Sequence, residues 1–253
     1  MFDVQITFVM PHWLYWGGLL LFPLVMMVFV RRAEKRRAGV PGAEEGPLTS
    51  DELEERIFHD RTLSYEDLKA ENGFTRFIDR ISGFTGVFVA YWTVIAVVTY
   101  FYEVTVRYFF DSPTNWAHES MFLMFGMQYL IAGAYAYLHD AHVRVDLFYS
   151  KAGPRGKAAL DIFTSVFFLI FALALLWTGW TFFSNSVSAD FLPFATGYAN
   201  ERSFTEWQIA YWPVKAAIFL GALFLLLQGV GRLVKDILVM RRVSALEEEG
   251  RHV

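Results

Sequence analysis

The chain has 253 residues, of which 55% are hydrophobic, 18% aromatic and 19% charged, and its net charge is −4. So much apolar surface excludes an intrinsically disordered chain, and an acidic balance without a basic stripe argues against nucleic-acid binding. The sequence contains no cysteine, which excludes disulfide scaffolds, zinc ribbons, iron–sulfur clusters and thiol catalysis.

Five apolar runs are each long enough to cross about 30 Å of hydrocarbon as a helix, which takes roughly 20 residues. The first extends from His12 to Val30, and its basic cluster, Arg31-Arg32-Ala33-Glu34-Lys35-Arg36-Arg37, follows it instead of preceding it. That order predicts a retained helix and not a cleaved secretory signal. Pro23 inside it predicts a kink. A polar stretch comes next, with a Gly/Pro-rich linker from Gly39 to Pro47 and the capping patterns Thr49-x-x-Glu52 and Ser64-x-x-Asp67. Then Phe74, Phe77, Ile78 and Ile81 recur at helical spacing with Arg76, Asp79 and Arg80 opposite. This pattern predicts an amphipathic helix in the cytoplasmic interface that feeds the second span.

The second run, Gly83 to Val106, carries Glu103 near its end, four residues before Arg107. The order suits an i,i+4 ion pair; contact with a partner protein is the other reading of these two. Pro113 ends the following turn, Thr114 or Asn115 can cap the next helix, and Glu119 is placed to complement its dipole. The third run, Trp116 to Leu138, leads to His139-Asp140-Ala-His142-Val-Arg144-Val-Asp146. Continued as a helix, this segment would put His139, His142 and Asp146 on one face, a metal arrangement that lacks an obvious fourth ligand. The fourth run is Ile162 to Phe183 and the fifth Ile209 to Val230.

Lysine and arginine are distributed with a strong bias: 19 lie in segments 31–80, 139–159 and 231–253, and only Arg107, Arg202 and Lys215 lie on the other side. By the positive-inside rule the N-terminus is outside, the C-terminus inside, and loops 107–115 and 184–208 outside. Seven of the eight tryptophans (all but Trp92) fall near outer helix ends, as an interfacial belt would have them. The middle of the bilayer holds little beyond Gln128, Thr93, Thr164 and Ser165. Such groups commonly bond between helices, whereas a carrier acting alone needs ionisable groups or broken helices at that depth.

Arg107-Tyr108-Phe-Phe, then Trp116-x-x-Glu119, then His142-Val-Arg-Val-Asp146 together resemble the small membrane subunit of tripartite ATP-independent periplasmic (TRAP) transporters, the DctQ-like family. Glu201-Arg-Ser203, Trp207, Trp212-Pro213-Val-Lys215 and the run ending Leu226-Leu227-Gln228-Gly229 resemble that family's last span. The resemblance covers residues 74–253. It implies an all-α integral membrane protein: a four-helix scaffold core, with one extra transmembrane helix at the N-terminus and interfacial amphipathic helices. Residues 1–73 then form the extra helix and a cytoplasmic segment, and 74–253 the DctQ-like domain.

The implied role is that of a non-catalytic scaffold in the bacterial inner membrane, without cofactor. Its partners would be a large DctM-like subunit, which carries an organic acid and sodium as an elevator, a periplasmic substrate-binding protein, and the bilayer. Arg107, Tyr108, Trp116, Glu119, His142, Asp146, Trp212 and Pro213 would set helix ends and subunit contacts. A second interfacial helix is implied around Phe148 to Lys157. The alternative reading is the membrane anchor of a respiratory or other membrane enzyme, with or without haem.

Overall fold

A computed structural model describes residues 8–37, 72–141 and 152–249. Its helices are α1 (His12–Arg37), α2 (Gly73–Ala90), α3 (Trp92–Phe109), α4 (Asn115–Leu138), α5 (Pro154–Asn185) and α6 (Trp212–Glu249). Between α2 and α3 only Tyr91 intervenes, itself right-handed helical at φ −67° and ψ −17°, so the pair forms one span, Gly73–Phe109. With His12–Lys35, Asn115–Leu138, Arg155–Asn185 and Trp212–Ser244, five helices among the described residues are long and apolar enough to cross a membrane. Large aromatic side chains point outward along them; Phe101 is 74% exposed and Phe109 83%. Such a surface suits lipid and not water. The protein is an all-α integral membrane protein.

At the centre of the bundle lies α6, packed against α5, α4 and α2, while α1 lies at the edge against α2 and α3. Close approach in a membrane depends on small residues, because lipid offers no hydrophobic drive to push helices together. Gly221 of α6 shows this: a Cβ there would stand 2.6 Å from the carbonyl oxygen of Leu130 in α4. The arrangement is the expected four-helix core with one added helix.

Several boundaries differ from the sequence expectation, each for a local reason. The fifth span begins at Trp212 and not Ile209, because the residues before it turn back on themselves. There Ser203 N–H donates to Ile209 O at 2.8 Å, Tyr211 N–H to Glu201 O at 3.0 Å, and Gln208 has φ 46°. The Phe74–Ile81 segment is continuous with the second span as part of α2. It buries Thr75, Ile78 and Ser82 and leaves Phe74 and Phe77 exposed, so its aromatic stripe faces away from the protein and its polar Asp79 faces α6. Of the tryptophans expected in an outer belt, Trp13 and Trp177 are exposed, but Trp116 and Trp207 are buried in the core of the bundle.

At its C-terminus, α4 stops in a Schellman motif. Ala141 N–H donates to Ala136 O at 2.9 Å and Asp140 N–H to Tyr137 O at 3.3 Å, with Asp140 in the left-handed region at φ 53°. The helix therefore does not continue through His139 to present the proposed metal face. His142, Asp146 and the two linker capping patterns lie outside the described residues. Of the second interfacial candidate, the described part from Pro154 belongs to α5.

Candidate functional site

Polar side chains gather at the two ends of the bundle. At the end where α3 meets α4, Glu103 of α3 is 5% exposed and accepts from two Arg107 nitrogens, Nε at 3.1 Å and Nη2 at 2.5 Å. The expected i,i+4 pair is present, and it is part of a larger clamp. Glu103 also accepts from the backbone N–H of Thr114 at 3.2 Å and from the Thr114 hydroxyl. Thr114 is the N-cap of α4 by backbone conformation, yet its hydroxyl makes no capping bond. It is spent on Glu103 instead, which ties the end of α3 to the start of α4. Arg107 itself is half exposed and Tyr108 is 78% exposed.

Glu119 does not act as a first-turn dipole partner. It reaches out of α4 to accept from the Thr205 hydroxyl and from Tyr211 Oη, the latter at 3.1 Å. Burial, with the Glu119 carboxylate beside it, raises the Tyr211 phenol above its ordinary range, so it remains a proton donor through neutral pH. Lys215 in the first turn of α6 pairs with Glu201 and lies 3.9 Å over the Phe182 ring. Trp212 packs its ring at 5.9 Å from Phe191. Pro213 occupies the first turn of α6, where a missing N–H costs no helical bond.

Residues 186–211 are thereby folded into a plate across these helix ends. Ser188 N–H is held by Asn200 Oδ1 at 3.1 Å, and Gly197 N–H donates to Val187 O at 3.0 Å. A side chain at Gly197 would meet the Asn185 and Val187 carbonyls at 2.5 Å, so only glycine fits that crossing.

The edge helix α1 is held by groups the sequence reading did not identify. Three indole N–H groups donate to carbonyls of its segment: Trp116 to Phe8 at 2.8 Å, Trp207 to Met10 at 2.7 Å and Trp92 to Leu19 at 2.8 Å. Tyr15 Oη and His12 return bonds to Ser120 O at 2.9 Å and Trp207 O at 2.7 Å. The Leu19 carbonyl is available because its helical donor would be residue 23, which is proline. A sequence signal existed for this bond: Trp92 is the one tryptophan outside the belt, and Pro23 leaves one carbonyl free.

Towards the other end, Ser82 donates to Gln228 Oε1 at 2.7 Å, Gln228 Nε2 donates to Asp79 Oδ1 at 2.9 Å, and Lys235 Nζ to Asp79 Oδ2 at 2.6 Å. This chain joins α2 to α6. Beside it Arg232 pairs with Asp140 and lies 5.2 Å from the Tyr137 ring centre. Counting about 1.5 Å per residue from Trp212 puts Lys235 about 34 Å down α6, at the far boundary of the hydrocarbon. Higher up, Gln128 donates to Thr93 at 3.0 Å, the interhelical bond expected of it. His118 packs on Phe122 and His139 on Tyr135.

The structure thus brings Arg107 and the Trp116–Glu119 helix end together around Glu103 and Thr114, and joins Glu119 to the plate that leads into Trp212 and Pro213. In comparison with known proteins, residues 95–239 match the model of a family described as tripartite ATP-independent periplasmic transporters, DctQ component. No curated relative matches the chain.

Proposed function

The chain belongs to the DctQ component family of tripartite ATP-independent periplasmic transporters, and from this premise we propose that it is the static, non-catalytic scaffold of a sodium-coupled organic-acid uptake complex. The observation that carries the reading is the commitment of polar groups within the spans to bonds between helices: Asp79, Ser82, Gln228 and Lys235 at one end, Gln128 with Thr93 above them. A chain whose polar groups lock helices together is suited to hold a moving partner. The large DctM-like subunit supplies the substrate and sodium sites. The plate of residues 186–211, on the side opposite the basic loops, is the docking surface for the substrate-binding protein.

In this reading residues 1–73 are an addition to a family domain of residues 74–253, the N-terminus is periplasmic and the C-terminus cytoplasmic. Arg107, Trp116, Glu119, Trp212 and Pro213 shape the outer helix ends, Tyr108 is free to meet a partner subunit, and His142 and Asp146 belong to the cytoplasmic loop. Reconstitution tests the proposal. Liposomes with this chain alone should take up no organic acid under a sodium gradient, and uptake should need all three components. Uptake by the isolated chain would overturn the scaffold role.

A further inference from the structure

At the arginine-bearing end of α1, between it and α2, lies a groove of about 680 Å³. Its deeper wall is apolar, with Met27, Phe84, Val87 and Tyr91, and its mouth carries Arg31 and Glu34 from α1 and Arg80 from α2. Neither arginine has an ion-pair partner among the described residues. Arg31 follows His12 by about 28 Å of helix, which sets its guanidinium at the depth of lipid phosphates when His12 sits at the opposite surface. Arg32, Lys35 and Arg76 are exposed nearby in sequence on the same two helix ends, so the field at the mouth is positive although Glu34 is present. An open groove inside a bilayer fills with acyl chain, and guanidinium groups recognise a phosphodiester by charge and fork geometry.

We propose that this groove binds an anionic phospholipid, its acyl chain against Phe84 and Val87 and its phosphate between Arg31 and Arg80. The assignment depends on the spans being in a membrane and not on which side that end faces. The acidic segment of residues 38–71 is the competing occupant, and the preference among lipids tells the two apart.

Native mass spectrometry of the purified full chain with equimolar phosphatidylglycerol, phosphatidylethanolamine and phosphatidylcholine tests it. Phosphatidylglycerol should be retained about tenfold more than either zwitterionic lipid, a difference of about 1.4 kcal/mol. The double variant Arg31→Gln/Arg80→Gln should abolish that preference. Gly83 also lines the groove, and a Cβ there meets nothing within 4 Å, so Gly83→Leu should fill the groove and lower retention of phosphatidylglycerol without lowering the melting temperature. Equal retention of the three lipids overturns the proposal. So does a preference that survives both variants, and in either case the acidic segment becomes the occupant to be examined by cross-linking.

Discussion

Trp92→Phe isolates the bond that fixes the middle of α1. The indole N–H donates at 2.8 Å to the Leu19 carbonyl in a site where Trp92 is 5% exposed. Phenylalanine keeps most of the ring packing against Phe88, whose centroid is 6.1 Å away, and removes the donor. The carbonyl then has neither a helical partner, because residue 23 is proline, nor water. Interhelical bonds in membranes are worth about 0.6–1.7 kcal/mol, and an unsatisfied buried acceptor costs about 1–3 kcal/mol, so the expected loss is about 1–2 kcal/mol. Pro23→Ala supplies an N–H four residues after Leu19 and restores the helical bond. In that background Trp92→Phe should cost less than about 0.5 kcal/mol, a coupling of about 1 kcal/mol between two residues that need not touch. Equilibrium unfolding in mixed micelles, followed by far-ultraviolet circular dichroism, measures all four corners of the cycle. The packing lost with the indole is common to both backgrounds and cancels. Additive effects of the two substitutions would refute the claim that the indole replaces the donor that proline lacks.

Because the chain has no cysteine, single substitutions report topology directly. A membrane-impermeant maleimide should label Tyr198→Cys in intact cells and Arg241→Cys only after lysis; the reverse pattern would invert the orientation. Thr114→Val removes the hydroxyl that Glu103 accepts and should destabilise by about 1 kcal/mol; after Glu103→Gln the same change should cost less, since both belong to one network. Asp79→Asn leaves Lys235 and Gln228 with a weaker acceptor and should cost about 1–3 kcal/mol, read as a lower melting temperature. Tyr211→Phe removes one of the two donors to Glu119, and amide exchange in residues 203–211 should rise about fivefold, the equivalent of ~1 kcal/mol. Unchanged exchange would mean that Thr205 alone holds the plate.

The five spans were legible because lipid demands long apolar helices, and a run such as Ile162–Phe183 has few other uses. Glu103 with Arg107 was legible because their partner spacing is local. What escaped the sequence was most of what contact between distant segments sets. Glu119 bonds to Tyr211 across 92 positions and Gln228 to Asp79 across 149; no period or spacing joins such pairs. Trp116 and Trp207 have the composition of a belt, but burial decides whether an indole meets headgroups or a backbone carbonyl, and burial is a property of the fold. The end of α4 at Leu138 was legible from the apolar run, but its cause was not: Asp140 takes a left-handed conformation and pairs with Arg232, a stop signal normally carried by glycine.

A helix added at the edge of a membrane bundle faces a recognition problem, since its own backbone is saturated and its apolar surface resembles every other lipid-facing surface. Three carbonyls that receive indole donors are exceptions to saturation. Phe8 and Met10 precede α1 and have no helical partner to receive, and Leu19 loses its partner to Pro23. The donors come from α3, α4 and the 186–211 plate, so α1 is read at three points by three different elements of the bundle it packs against. Apolar packing of Tyr15 and Leu19 in the core holds α1 against the bundle, and the orphaned acceptors fix its register there. A substitute helix of equal length and apolarity, lacking Pro23 and the Tyr15 hydroxyl, should insert in the membrane yet fail to cross-link to α3 at the depth of Trp92.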